Sequence, residues 1–207
     1  MEYKKTVKDG YNAIANLYLE SRSGKSADML LLDQFIRKLP EEARVLDAGC
    51  GAGIPVSKSL SEHFDVTGVD FSEVQIELAK RNVPGATFFC QDMTKLDFPA
   101  GSFDGICSFY AIIHIPREEH RALLENFFQM LKPGGLTLLC LGAEDLPEQI
   151  EEDFHGQRMY WSHYDAAMYM SMLEQAGFHI LSSRIVPDVL YGGEHLFVLA
   201  QKENPPK

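Results

Sequence analysis

Apolar residues recur along this chain with two different periods. Tyr11, Ile14, Ala15 and Tyr18, followed by Arg22, fall at intervals of three and four and so share one helical face. Leu31, Leu32, Phe35, Ile36 and Leu39 repeat that spacing until Pro40 stops it. Short apolar runs then take over at 45–46, 65–70, 86–91, 103–109 and 136–141, and each reads as a buried strand. Helical segments separate them. One runs from Pro55 to about Glu62. One is opened by Ser72 with Gln75 as a capping box and closed by Lys80 and Arg81. A third spans 116–131, with Leu123, Leu124, Phe127, Phe128 and Leu131 on one face. Lys132-Pro133-Gly134-Gly135 reads as the turn into the fifth strand. Ser162 with Asp165 reads as the cap of a helix through Ala176 that stops at Gly177, with Met168 and Met172 as core filler. Runs at 178–186 and 195–200, around the Gly192-Gly193 turn, close the chain as a hairpin, and 203–207 is expected to be a loose tail. Strands alternating with helices predict the α/β class with a largely parallel sheet.

The chemistry concentrates in residues 44–55, Arg-Val-Leu-Asp-Ala-Gly-Cys-Gly-Ala-Gly-Ile-Pro, where three glycines alternate between a strand and a helix. Glycine accepts positive φ and carries no side chain, so the backbone can bend sharply and lie against a ligand near unpaired helical N–H groups. The dinucleotide fingerprint is G-x-G-x-x-G, and a phosphate loop places Lys-Ser/Thr after its last glycine. Here G-x-G-x-G is followed by Ile54-Pro55, which fits neither. Asp47 is poorly placed beside a pyrophosphate and suits a ligand carrying an ammonium group. A nicotinamide-dinucleotide oxidoreductase is the competing reading. It would use Asp70 equally well but leaves Asp47 without a role.

Composition narrows the partners. The 207 residues fit one domain, with 45% hydrophobic and 24% charged residues, and no apolar run is long enough to span a bilayer. The first twenty residues lack the continuous apolar segment of a secretion signal, so a cytoplasmic protein is expected. Thirty acidic against nineteen basic residues give a net charge of −11, which repels a phosphate backbone and disfavours nucleic acid. The cysteines show no C-x-x-C spacing, and Cys90, Cys107 and Cys140 are expected as small core residues.

Val-Leu-Asp-Ala-Gly-Cys-Gly-Ala-Gly resembles the first motif of the class I S-adenosylmethionine-dependent methyltransferases, and later segments resemble the family's further motifs in the same order, over about residues 9 to 202. The resemblance implies a three-layer α-β-α sandwich around a seven-stranded, mostly parallel sheet with an antiparallel C-terminal strand. Residues 1–40 would form an N-terminal helical cap and 143–164 an acceptor-side insertion, all in one domain. It implies S-adenosyl-L-methionine as cofactor, S-adenosyl-L-homocysteine as product and a small-molecule methyl acceptor as partner. Carried onto this sequence, Asp47, Gly49, Cys50 and Gly51 form the donor turn. Asp70 accepts from the ribose hydroxyls, with Phe71 beside it. Asp92 and Met93 meet the adenine edge, Phe109 touches the cofactor, and Tyr18 and Arg22 cap its sulfonium and carboxylate ends.

The acceptor side is less defined. Ser108-Phe109-Tyr110-Ala111 stands where enzymes methylating base amino groups carry Asn/Asp-Pro-Pro-aromatic, which argues against base N-methylation. His114, with an ordinary pKa near 6.5, is the candidate general base, against a packed histidine bonding backbone. Tyr11, Tyr110, Tyr160, Trp161 and His163 are candidate acceptor contacts, because aromatic rings with polar tips combine enclosure with aimed hydrogen bonds. No metal is expected, since Ser108 occupies the place where a catechol-type enzyme needs a carboxylate. A methyl-donor-binding module without catalysis is the third reading.

Overall fold

The computed structural model describes residues 2–21, 27–188 and 192–203. The polar, glycine-containing stretch 21–26, which from the sequence reads as a candidate hinge, and the tail at 203–207 therefore fall largely outside the described residues, and Arg22 wholly so. The elements follow as α1 (Glu2–Ser21), α2 (Ala27–Ile36), β1 (Arg44–Ala48), α3 (Val56–Ser61), β2 (Asp65–Asp70), α4 (Glu73–Asn82), β3 (Thr87–Cys90), β4 (Phe103–Ser108), α5 (His120–Met130), β5 (Leu131–Gly142), β6 (Leu146–Phe154), β7 (Gln157–His163), α6 (Ala166–Ala176), β8 (Phe178–Pro187) and β9 (Glu194–Lys202).

Seven strands form one sheet in the order β3-β2-β1-β4-β5-β9-β8. β1 pairs parallel with both β2 and β4, while β9 runs antiparallel between β5 and β8. The central strands are buried on both faces, which is why they read as continuous apolar runs rather than alternating ones. Leu32 and Phe35 of α2 and Leu60 of α3 cover one face with Val45, Val66 and Leu138. Leu124 and Phe127 of α5 and Tyr169 and Leu173 of α6 cover the other with Leu46, Ile106 and Val198. Successive strands leave β1 in opposite directions, so the C-terminal ends of β1 and β4 meet at a switch point, where open α/β sheets hold their ligands.

The structure corrects several boundaries. α1 starts at Glu2, well before the periodic stripe. The 116–131 helix opens with a 3-10 turn, Arg117–Glu119, before α5 proper. Lys132-Pro133-Gly134-Gly135 lies within β5 as an irregularity, where pairing jumps from Leu131 with Phe103 to Leu136 with Gly105. Asp165 alone caps α6, accepting from the Met168 N–H at 2.8 Å. Ser162 lies in β7, where it donates to the Pro147 carbonyl at 2.6 Å and accepts from the Arg117 N–H. Met172 is core but Met168 is 43% exposed, and Cys90 is exposed because β3 is an edge strand.

The 143–164 segment, expected as an insertion with no secondary structure assigned, adds two strands outside the main sheet. It folds as an antiparallel hairpin, β6 with β7, turned at His155-Gly156, both at positive φ. α1 packs on this hairpin through a separate apolar cluster of Val7, Ile14, Phe154, Met159 and Tyr160. Their approach is close: a side chain on Gly10 would lie 2.8 Å from the Met159 sulfur.

Candidate functional site

At the switch point the chain leaves β1 through Gly49, Gly51 and Gly53, at φ +82°, +50° and +78°. The turn is tied to the next strand, with the Gly49 and Cys50 N–H groups both donating to the Val69 carbonyl (2.8 and 2.9 Å). A side chain on Gly49 would come within 2.2 Å of the Ala111 Cβ, so the turn packs directly on the segment after β4.

Two carboxylates lie under this turn. Asp47 is buried, accepting from the Ser57 hydroxyl at 2.5 Å and from the Cys107 thiol, and burial pushes its pKa from 3.8 to about 6. Asp70 accepts from the Gly51 N–H at 3.0 Å and the Ser72 N–H at 2.9 Å, and burial likewise lifts it to about 6. The Phe71 backbone N–H adds a third favourable contact, so three backbone groups share the roughly four acceptor positions of the Asp70 carboxylate. Asp92 caps the short turn that follows it: its Oδ1 accepts from the Thr94 N–H and hydroxyl, and its Oδ2 faces the Lys4 ammonium at 3.2 Å.

These groups line one cavity of about 990 Å³ counting its open mouth. Its wall brings together Asp47, Gly49, Cys50, Gly51, Asp70, Phe71, Asp92, Met93 and Phe109, and α1 roofs it with Tyr11 and Tyr18. Gln75 also lines it, a residue the sequence offered only as half of a capping box. Ser72 does cap α4 through its hydroxyl, but its N–H is taken by Asp70, and the buried Gln75 Oε1 has no hydrogen-bond partner.

A second cavity of about 1140 Å³ shares Tyr11, Tyr18, Tyr110 and His114 with the first. Trp161, His163 and Phe154 of the hairpin and His195 of β9 extend it. Tyr110 adopts φ +53°, a left-handed conformation rare for a bulky residue, and its ring stands edge-on to His195 at 5.0 Å. Tyr160 lines neither cavity. It is buried against Tyr3, stacked at 4.3 Å, and contributes only its carbonyl.

That carbonyl fixes the state of His114. A carbonyl only accepts, so His114 Nδ1, 2.8 Å from the Tyr160 oxygen, carries the proton, and Nε2 accepts from the Tyr11 hydroxyl at 2.9 Å. Burial lowers the His114 pKa from 6.5 to about 4, so the ring is neutral near pH 7. The backbone-bonded histidine and the candidate base are thus the same arrangement. Tyr11, between the cavities, presents an oxygen whose proton points at an imidazole lone pair.

Residues 45–135 match a family described as a methyltransferase domain. The chain is 35% identical over 156 residues to phosphoethanolamine N-methyltransferase 1 of Triticum aestivum, covering 70% of this chain and 30% of that relative. This chain therefore spans under a third of that protein's length. Among solved structures, Burkholderia thailandensis 1,6-didemethyltoxoflavin-N1-methyltransferase, with 1,6-didemethyltoxoflavin and S-adenosylhomocysteine bound, superposes with a TM-score of 0.75 at 21% identity, over 98% of this chain and 90% of that one. A Methanosarcina mazei S-adenosylmethionine-dependent methyltransferase gives 0.73 at 21% identity, over 82% and 96%.

Proposed function

Because this chain belongs to the class I S-adenosylmethionine-dependent methyltransferases, we propose that it transfers a methyl group from S-adenosylmethionine in the first cavity to a small-molecule acceptor in the second. One observation carries the reading. The two cavities meet across Tyr11, Tyr18, Tyr110 and His114, so a sulfonium reaching that junction from one side faces an acceptor reaching it from the other.

In this reading the Asp70 carboxylate takes the ribose hydroxyls, and the Gly49–Gly51 turn with Asp47 below it receives the amino-acid end. Met93 and Asp92 flank the base. Gln75 Oε1 supplies a further acceptor in the same wall. The acceptor's electron pair forms the new bond to the methyl carbon as the S–C pair returns to sulfur, leaving a neutral thioether. Holding the two partners in line supplies most of the acceleration. Where the acceptor carries a proton, the Tyr11 oxygen takes it as the Tyr11 hydroxyl hydrogen passes to His114 Nε2. That pairing favours catalysis over a binding module. The glycine spacing favours the sulfonium nucleoside over a nicotinamide dinucleotide. No helix among the described residues is long and apolar enough to cross a membrane. A reducing cytoplasm fits the four free cysteines.

Thermal-shift titration tests the donor assignment. S-adenosylhomocysteine at about a hundred times its dissociation constant should stabilise the fold by about 2.7 kcal/mol, and NAD should not. Stabilisation by NAD alone would overturn the reading.

A further inference from the structure

The second cavity has a charge and a wall chemistry that select its occupant. Five carboxylates stand in its lining: Glu144, Asp145, Glu151, Asp188 and Glu194. No lysine or arginine lines it among the described residues. Arg117, outside the lining, pairs with Asp145 at 2.7 Å, and His195 lies 3.3 Å from Asp188. Glu144, Glu151 and Glu194 have no ion-pair partner among the described residues, and all three are exposed. Beneath this rim the wall is aromatic: Tyr11, Tyr18, Tyr110, Phe154 and Trp161. Ring faces attract a cation, and the acidic rim draws it in. A phosphate or carboxylate entering here would meet no fixed cation among the described residues and several like charges.

We propose that the acceptor is a cationic amine with no phosphate or carboxylate group, held by the aromatic wall under the acidic rim and methylated on nitrogen at the Tyr11 junction. This rests on the donor reading above and narrows it. The step balances: the ammonium gives up one proton through Tyr11 to His114 Nε2, the freed nitrogen pair bonds to the methyl carbon, and the S–C electrons leave with sulfur.

Trp161 is the chain's single tryptophan and lies in this wall but not in that of the first cavity, so its fluorescence reports on this cavity. With the protein saturated by S-adenosylhomocysteine, three probes of matched shape are titrated: choline, phosphocholine and the uncharged 3,3-dimethylbutanol. Choline should perturb Trp161 saturably and bind about tenfold more tightly than either of the others. Glu151→Lys, a change at an exposed rim position, should weaken choline and strengthen phosphocholine. The proposal is overturned if phosphocholine binds as well as choline, if the uncharged probe does, or if none of the three perturbs Trp161. A failure of S-adenosylhomocysteine itself to bind would count against the donor reading instead.

Discussion

The two cavities that meet at Tyr11 are built from different materials. The side proposed for the donor is made by backbone: three positive-φ glycines, N–H groups tied to Val69 and Asp70, and two carboxylates under the turn, Asp47 buried and Asp70 half-buried. The side proposed for the acceptor is made by side chains from α1, the segment after β4, the β6-β7 hairpin and β9, with Glu144, Glu151 and Glu194 at an exposed rim. A backbone cradle tolerates little change, because every atom in it is also holding the fold. A side-chain wall can exchange its rings and charges without disturbing the sheet, so donor choice is fixed where acceptor choice is free to vary.

The sharpest way to break that contrast is to add one methyl group to each side. Gly49→Ala forces a Cβ to 2.2 Å from Ala111 at φ +82°, while Gly156→Ala at the hairpin tip, φ +80°, meets nothing within 4 Å. Gly49→Ala should cost about 2–5 kcal/mol in denaturant unfolding, combining left-handed strain with overpacking, and Gly156→Ala about 1–2 kcal/mol from strain alone. Equal losses would show that the donor turn is no more constrained than the hairpin tip.

The buried carboxylates give the next effect, and it depends on pH. Asp47 titrates near 3.8 when unfolded and about 6 when folded, so below 3.8 both states are protonated and nothing is lost. Above about 6 both are charged, and the folded state bears the full cost of burial, about 3 kcal/mol. The ligand-free protein should therefore gain stability as pH falls from 7 to 4 through this group, and Asp47→Asn should already have most of that gain at pH 7. A bound sulfonium and ammonium favour the ionised carboxylates, so donor affinity should weaken as pH drops below about 6. Parallel melting curves for the wild type and Asp47→Asn would contradict this account. Calorimetric titration of the donor across the same range checks the second half.

Tyr11→Phe removes one oxygen and keeps the ring against Tyr18 and His114. Turnover should fall about a hundredfold for an acceptor that must lose a proton, with donor affinity nearly unchanged. A variant as active as the wild type would leave His114 as a packed, backbone-bonded ring and nothing more.

This contrast also explains what was legible in the sequence. The switch-point strands, the glycine turn, Asp70 and the Ser72 cap could be read because each is a local pattern of backbone need: positive φ, a strand end, an orphan N–H. The hairpin could not. Leu146, Ile150 and Phe154 are spaced by four among acids, a helical spacing, because register shifts within β6-β7 break the alternation of an ordinary strand. Its turn is His155-Gly156 rather than a common Asn-Gly pair. The resemblance named Asp92 as a base contact, yet the carboxylate is also an intact turn cap. Tyr160 was grouped with Trp161 by proximity in sequence, although neighbouring strand residues point to opposite faces. The Tyr11–His114 bond joins residues 103 positions apart, and no local spacing announces it.

The smallest predicted effect asks whether α1, which roofs both cavities, can be loosened over one of them. Lys4 is the tie on the donor side. Its ammonium reaches Thr94 at 2.8 Å, Asp92 at 3.2 Å and Glu119 at 2.6 Å, joining the start of α1 to the segments after β3 and before α5. Tyr11, two turns on, is the tie at the junction. Lys4→Met keeps the aliphatic stem and removes the charge, and Asp92 still holds its two bonds from Thr94. A partly exposed ion pair is worth about 1 kcal/mol or less. The first turns of α1 should therefore exchange amide hydrogens up to about fivefold faster, S-adenosylhomocysteine should dissociate faster by a similar factor, and KM for the acceptor should hold. If acceptor KM shifts as much as the donor off-rate, α1 moves as one rigid lid, and the two cavities cannot be tuned separately from above.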